Sequence, residues 1–236
     1  MMRLNNYKIS FLIIIIAVLS FFSFSKNKER TISFKDIHFI ESEFNFISLD
    51  SVNKLLTQTD VFSKNILKSD LNLKEVEQEI LSNSYIDFVD VSVSIDGKVG
   101  IKIKEKNPVF RVLNEKYYLD AKGKTMSLSP NYSETVPLIL NRVESEKHTA
   151  LGKLGYYIAR DKFLRNHISS LSYADERIVF GLNDYPFILK MDGFDNYRSK
   201  FKNYQNFFLS VYSSGLLDSI KTVNLNFKNQ VVIERK

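Results

Sequence analysis

Residues 86–108 read IDFVDVSVSIDGKVGIKIKEKNP, and the alternation within them decides the fold of the first half of the chain. Val89, Val91, Val93 and Ile95 alternate with Asp90, Ser92, Ser94 and Asp96, while Val99, Ile101 and Ile103 alternate with Gly100, Lys102 and Lys104. A period of two over both runs predicts a pair of strands, each with one apolar face. A two-residue turn at Asp96-Gly97 would set those faces on opposite sides of the ribbon, so the connection must be odd. Taking Asp96-Gly97-Lys98 as the connection pairs Ile95 with Val99, Val93 with Ile101 and Val91 with Ile103. The result is one continuous apolar face that needs a cover.

The cover lies upstream. DLNLKEVEQEILSNS predicts a helix with Asn72 as N-cap, Glu75 as capping-box partner and Leu71 stapled onto Val76. Leu73, Val76 and Ile80 form its apolar stripe. Glu75, Glu77 and Glu79 point in different directions on such a helix, which makes a solvated face rather than a catalytic carboxylate pair. SLDSVNKLL is a shorter helix capped at Ser48 or Asp50, and SFKDIHFI places Phe34, Ile37 and Phe39 in a strand. The order is strand, helix, helix, strand, strand, and Pro108, which has no N–H for a sheet ladder, marks where this unit ends.

From Ile9 to Ser25 the chain carries no charge, and Lys8 and Lys26 flank it. Seventeen helical residues span about 25 Å, enough with snorkelling lysines for a ~30 Å hydrocarbon layer. We read this segment as a retained anchor. A cleaved signal peptide, with Ser23-Phe24-Ser25 as its small-residue site, is the competing reading. No cysteine is available for a lipid anchor. Charges on the two sides are too balanced to orient the helix.

The 236 residues leave room beyond the anchor for two small domains. Without cysteine, disulfides, thiolate metal sites and cysteine nucleophiles are excluded. The net charge of +6 is spread among interspersed acids, with no nucleic-acid-binding motif. Lys26, Lys28, Arg30 and Lys35 could meet anionic headgroups or be ordinary flanking charge. His38, His148 and His167 are far apart, have no metal-ligand spacing and read as surface or partly buried residues. No nucleophile elbow, P-loop or dinucleotide fingerprint occurs, so no catalytic residue, cofactor, metal or small-molecule substrate is assigned. A hydrolase would need His148 or His167 to converge with carboxylates in a cleft.

After Pro108, VFRVLNEKYYLDAKGKTMSLSPNYSETVPLIL reads as short antiparallel strands, followed by a helix from about Leu151 to Phe163 and a hairpin around Asn183-Asp184. Asp195 or Asn196 can cap a helix whose apolar stripe is Phe201, Tyr204, Phe208, Val211 and Tyr212, closed by Gly215. KTVNLNFKNQVVIERK gives two strand pieces, Val223 to Phe227 and Gln230 to Arg235, around Lys228-Asn229.

The first unit, leaving through Glu105-Lys106-Asn107-Pro108, resembles a POTRA domain. Add the anchor, Tyr118-Leu119-Asp120-x-x-Gly123, Val136-Pro137-Leu138-Ile139 and a helix followed by VNLNFKNQVVI, and the whole chain resembles the FtsQ/DivIB cell-division family. It departs from the family's pattern at Asn224 and Asn226, where an Asp and an Arg are usual. The resemblance implies an α+β protein: a cytoplasmic tail (1–8), a transmembrane helix (9–25), a juxtamembrane linker (26–33), a POTRA-like βααββ domain (34–106) and a mixed β-rich domain with flanking helices (107–236) that ends in an edge strand. It also implies a single-pass inner-membrane protein, its main body periplasmic and its position midcell, with no enzymatic activity.

In that family the carboxy-terminal strands and the helix before them dock the periplasmic part of FtsB, itself paired with FtsL in a coiled coil, so the resemblance implies partners of FtsB and FtsL type. Carried over by position, Phe227, Lys228, Gln230, Val231, Val232 and Ile233 would line the edge, where an added strand gains main-chain hydrogen bonds. A proline at Val232 is then expected to abolish partner capture. The alternative is a POTRA-type component of outer-membrane protein assembly or secretion.

Overall fold

The computed structural model describes residues 6–28, 31–32, 37–39, 45–58, 66–67 and 71–236. Phe34, Arg30, Lys35 and the point where the first domain begins lie outside the described residues. The chain divides into two units, residues 1–105 and 106–236.

In the first unit, α1 (Asn6–Lys28) is helical beyond both ends of the uncharged run and its apolar side chains are exposed. It is the one helix among the described residues long and apolar enough to cross a membrane. β1 (Thr31–Ile32), β2 (Ile37–Phe39), α2 (Leu49–Gln58), β3 (Ile66–Leu67), α3 (Leu73–Leu81), β4 (Ile86–Val93) and β5 (Val99–Glu105) follow. β2, β5 and β4 form a three-stranded sheet in that order, β2 parallel to β5, while β1 and β3 make a separate ribbon.

The caps act as the side chains dictate. Asn72 Oδ1 accepts the Glu75 amide at 3.4 Å, and Ser48 Oγ accepts the Ser51 amide at 3.1 Å. Val76 and Ile80 of α3 and Val52 and Leu56 of α2 bury against Val89, Val91, Val99, Ile101 and Ile103. Each such side chain contributes on the order of 1.5–3 kcal/mol through removal from water. The Glu105 carboxylate closes the unit, accepting the amides of Asn45, Phe46 and Ile47 at 2.8–3.1 Å.

The hairpin register differs from the expected one. Val93 faces Val99, Val91 faces Ile101 and Val89 faces Ile103. The turn is Ile95-Asp96-Gly97, one residue earlier than Asp96-Gly97-Lys98, with Ser94 N–H donating to Lys98 O at 2.9 Å. The reason is conformational. A three-residue turn ends on a residue of positive φ, and sliding the turn back gives that place to Gly97 (φ 91°) instead of Lys98. Because the loop stays odd, the apolar face survives, but Ile95 sits at the turn and is 82% exposed.

The second unit holds β6 (Pro108–Val112), β7 (Tyr117–Asp120), β8 (Thr125–Ser127), β9 (Leu138–Ile139), α4 (Ser145–Arg160), α5 (Lys162–His167), β10 (Ile168–Ala174), β11 (Arg177–Leu182), β12 (Ile188–Asp192), α6 (Tyr197–Val211), a short 3₁₀ turn at Leu216–Ser219, β13 (Ile220–Asn224) and β14 (Val232–Arg235). One nine-stranded sheet runs β14-β13-β12-β11-β10-β9-β6-β7-β8. It is mixed rather than purely antiparallel, since β9 is parallel to both β6 and β10 and β12 is parallel to β13. The two-residue β9 seams the halves: Arg111 N–H donates to Pro137 O and Leu113 N–H to Ile139 O, both at 3.0 Å, and Leu140 N–H donates to Leu171 O at 2.9 Å.

Phe110, Phe180, Phe187, Leu151, Leu154, Phe201 and Tyr204 form the core. Three expectations need correction here. β10 is a strand that local pattern does not announce, because its hairpin with β11 turns at Asp175-Glu176, both at positive φ without a glycine. Asn196 precedes α6 in a left-handed conformation and makes no side-chain cap bond. Tyr212 is 63% exposed and falls outside the buried stripe.

Candidate functional site: the carboxy-terminal sheet edge

β14 pairs with β13 on one side and is the last strand of the sheet. Its phase follows from two bonds: Leu225 N–H donates to Lys190 O and Lys236 N–H donates to Ser219 O, both at 2.9 Å. Odd residues of β13 therefore address β12 and even ones address β14, so Val232 and Glu234 turn their backbone groups inward. The N–H and C=O of Ile233 and Arg235 face away from the sheet. The Val232 side chain, 42% exposed, lies on the solvent side, whereas Val231 and Ile233 pack on the core. Glu234 pairs with Lys221 at 3.0 Å, and this hydrogen bond holds its carboxyl below the ordinary value.

Of the six residues expected at the edge, only Val232 and Ile233 lie in β14. Phe227, Lys228, Gln230 and Val231 belong to the connection from β13. That connection is shaped by polar side chains. Asn226 N–H donates to Asn224 Oδ1 at 3.0 Å, Asn226 Nδ2 donates to Asp192 Oδ2 at 2.8 Å, and Asp192 N–H donates to Asn226 Oδ1 at 2.6 Å. Asn226 thus ties the chain to the end of β12, and Asn229 at φ 57° reverses it. The strand expected through Phe227 stops at Asn224 for this reason. Phe227 is 44% exposed beside the edge.

Two other sheet edges, β4 and β8, carry a side chain on an outward backbone group. On β4 the outward Val91 N–H donates to Glu77 Oε1 at 3.1 Å, so Glu77 is not simply part of a solvated face. On β8 the outward Thr125 carbonyl accepts from Lys106 Nζ at 3.3 Å. Charged groups placed this way block strand addition. β14 has no such plug among its described contacts.

His148 and His167 lie in different surroundings. His148 lines an open hollow of about 1130 Å³ with Glu115, Tyr117, Arg142, Glu144 and Glu146. Its Nε2 is hydrogen-bonded to Tyr117 Oη at 3.2 Å, while Glu115 pairs with Arg142 at 3.2 Å. Burial first, then Glu115, raises the Tyr117 phenol to about 12, which keeps it neutral. Among the described residues no carboxylate is hydrogen-bonded to His148, and no group of acidic or histidine side chains could hold a metal ion. His167 is buried, contrary to expectation, against Phe163, Tyr185 and Phe208 with Nε2 bonded to Tyr204 Oη.

These features define an α+β protein with one apolar amino-terminal helix and a long mixed sheet whose final strand is open. A family model described as FtsQ/DivIB, C-terminal related matches residues 107–233, more than half of the chain, and the chain belongs to that family. Membership supports a role in cell division and, with α1, points to a single-pass membrane protein. The chain is similar to the solved major extracytoplasmic domain of the trans isomer of the bacterial cell division protein DivIB from Geobacillus stearothermophilus, at 10% identity and a TM-score of 0.36, over 46% of this chain and 96% of that one. A comparison with curated proteins found no match.

Proposed function

We propose that the protein is a non-enzymatic scaffold of the bacterial division complex that captures a partner strand on β14. In this reading α1 anchors it in the inner membrane, residues 34–106 form a POTRA-like domain and residues 107–236 recruit membrane partners of FtsB and FtsL type at midcell. The observation that carries the reading is the unplugged outward backbone of Ile233 and Arg235, against the side-chain plugs on β4 and β8. Tethering all partners to one bilayer raises their effective concentration, so modest affinity at a short strand suffices.

The register moves the decisive substitution. A proline at Val232 removes an inward amide and damages the protein's own ladder, whereas Ile233→Pro removes an outward one. With the full chain in membranes, Ile233→Pro is expected to abolish co-purification of the partner pair while the far-ultraviolet circular dichroism stays that of the parent. Unchanged recovery of the pair would refute capture at this edge.

A further inference from the structure

A second surface of the β unit, sharing no residue with β14, gathers three cations and three tyrosines. Lys153, Tyr156, Tyr157 and Arg160 of α4 and Tyr197 and Arg198 of α6 line a hollow of about 700 Å³ with no carboxylate among its described lining residues. None of the three cations is ion-paired among the described residues. The guanidinium groups are held against rings. Arg160 lies 5.5 Å from the Tyr156 ring centroid and its Nη1 donates to Tyr156 Oη at 2.8 Å. Arg198 lies 5.9 Å from the Tyr157 ring and 6.0 Å from the Tyr197 ring. The rings are fixed in turn: Tyr157 and Tyr197 meet edge to face at 5.4 Å, and Tyr157 stacks on buried Phe201 at 6.1 Å.

We infer that this hollow docks an acidic, aromatic-containing peptide segment of a second protein. Guanidinium groups held at cation–π distance from a ring keep most of their hydrogen-bond donors for carboxylates, and a planar fork recognises a carboxylate in two-point fashion. Tyrosine rings add apolar contact at small entropic cost, because each has few rotors to freeze. The concavity decides between ligands. A flat layer of lipid headgroups meets protruding lysines and arginines, whereas cations set around a recess with aromatic walls accept a side chain inserted between them. Charge complementarity then selects glutamate or aspartate next to an aromatic residue.

The test is fluorescence anisotropy on the full chain in nanodiscs of neutral lipid, with a short labelled peptide that alternates glutamate with phenylalanine. The expected result is salt-sensitive binding, lost for the glutamine version of the peptide and weakened about tenfold or more by Arg160→Gln combined with Arg198→Gln. Both arginines are exposed, so the fold is retained, and circular dichroism checks it. The Ile233→Pro chain is expected to bind the peptide like the parent, which keeps this surface separate from the β14 edge. Equal binding by parent and double variant overturns the proposal. So does an arginine-dependent co-flotation with anionic-lipid vesicles by a chain that ignores the peptide.

Discussion

Gly152 of α4 lies directly on Gly123 of the β7–β8 turn: a Cβ built on Gly152 would come 2.6 Å from the Gly123 nitrogen and 2.7 Å from the Asp120 carbonyl oxygen. Buried Asp120 holds that turn by accepting the amides of Lys122 at 2.9 Å and Lys124 at 2.7 Å, and Gly123 takes φ 81°. The Asp120-x-x-Gly123 motif is thus a seat for a helix. Gly152→Ala must push α4 off backbone atoms that cannot yield, and it is expected to cost about 1–3 kcal/mol. Thermal unfolding of the variant against the parent measures this, and an unchanged midpoint would contradict the contact.

The buried imidazole predicts an acid sensitivity. Burial lowers the pKa of His167 from 6.5 to about 4. Between these values the unfolded chain binds a proton that the folded chain refuses, so the stabilisation is complete above 6.5 and drains away as pH falls toward 4. The whole effect is on the order of 3 kcal/mol. Urea unfolding at a series of pH values should show this slope for the parent, and His167→Phe should flatten it. An equally steep slope in the variant would assign the dependence elsewhere.

Asn226 bonds Asp192 through both its amide oxygen and its amide nitrogen. Asn226→Asp replaces the donor by a second carboxylate and should loosen the β13–β14 connection by about 1–2 kcal/mol. Asn224→Asp keeps the acceptor for the Asn226 amide and should be nearly neutral. Hydrogen exchange of residues 225–231 distinguishes the two, with faster exchange expected only in the first variant.

Lys106 shields the far edge of the sheet through the Thr125 carbonyl. Lys106→Met removes the plug while keeping the apolar stem, and a chain with two open edges should self-associate at high concentration. Sedimentation velocity in detergent reads the outcome; a species the size of the parent would argue against a shielding role.

Residues 86–105 show how far local pattern reaches. Alternation settled two strands, their common face and an odd loop, because the side-chain period of a strand is two and any even loop breaks the face. The pattern is blind to shifts of two in the pairing sum, and the left-handed requirement at Gly97 chose among them. The caps at Asn72 and Ser48 were equally readable, since a cap is a bond to residues two or three positions away. β10 escaped because its turn at Asp175-Glu176 carries positive φ on residues whose identity gives no sign of it.

At the carboxy terminus the same division holds. Apolar alternation announced an extended last segment and the family resemblance marked it as an edge, but neither specified which amides face outward. That depended on the parallel bond from Leu225 to Lys190, thirty-five residues away in sequence, and on Asn226 reaching Asp192. The basic hollow was invisible for the same reason, as Arg160 and Arg198 belong to different helices. Local chemistry wrote the strands, the caps and the apolar anchor into the chain. The register of the final edge and the meeting of the distant arginines exist only once the sheet and its helices have packed, because both are set by contacts between residues that no short stretch of sequence contains.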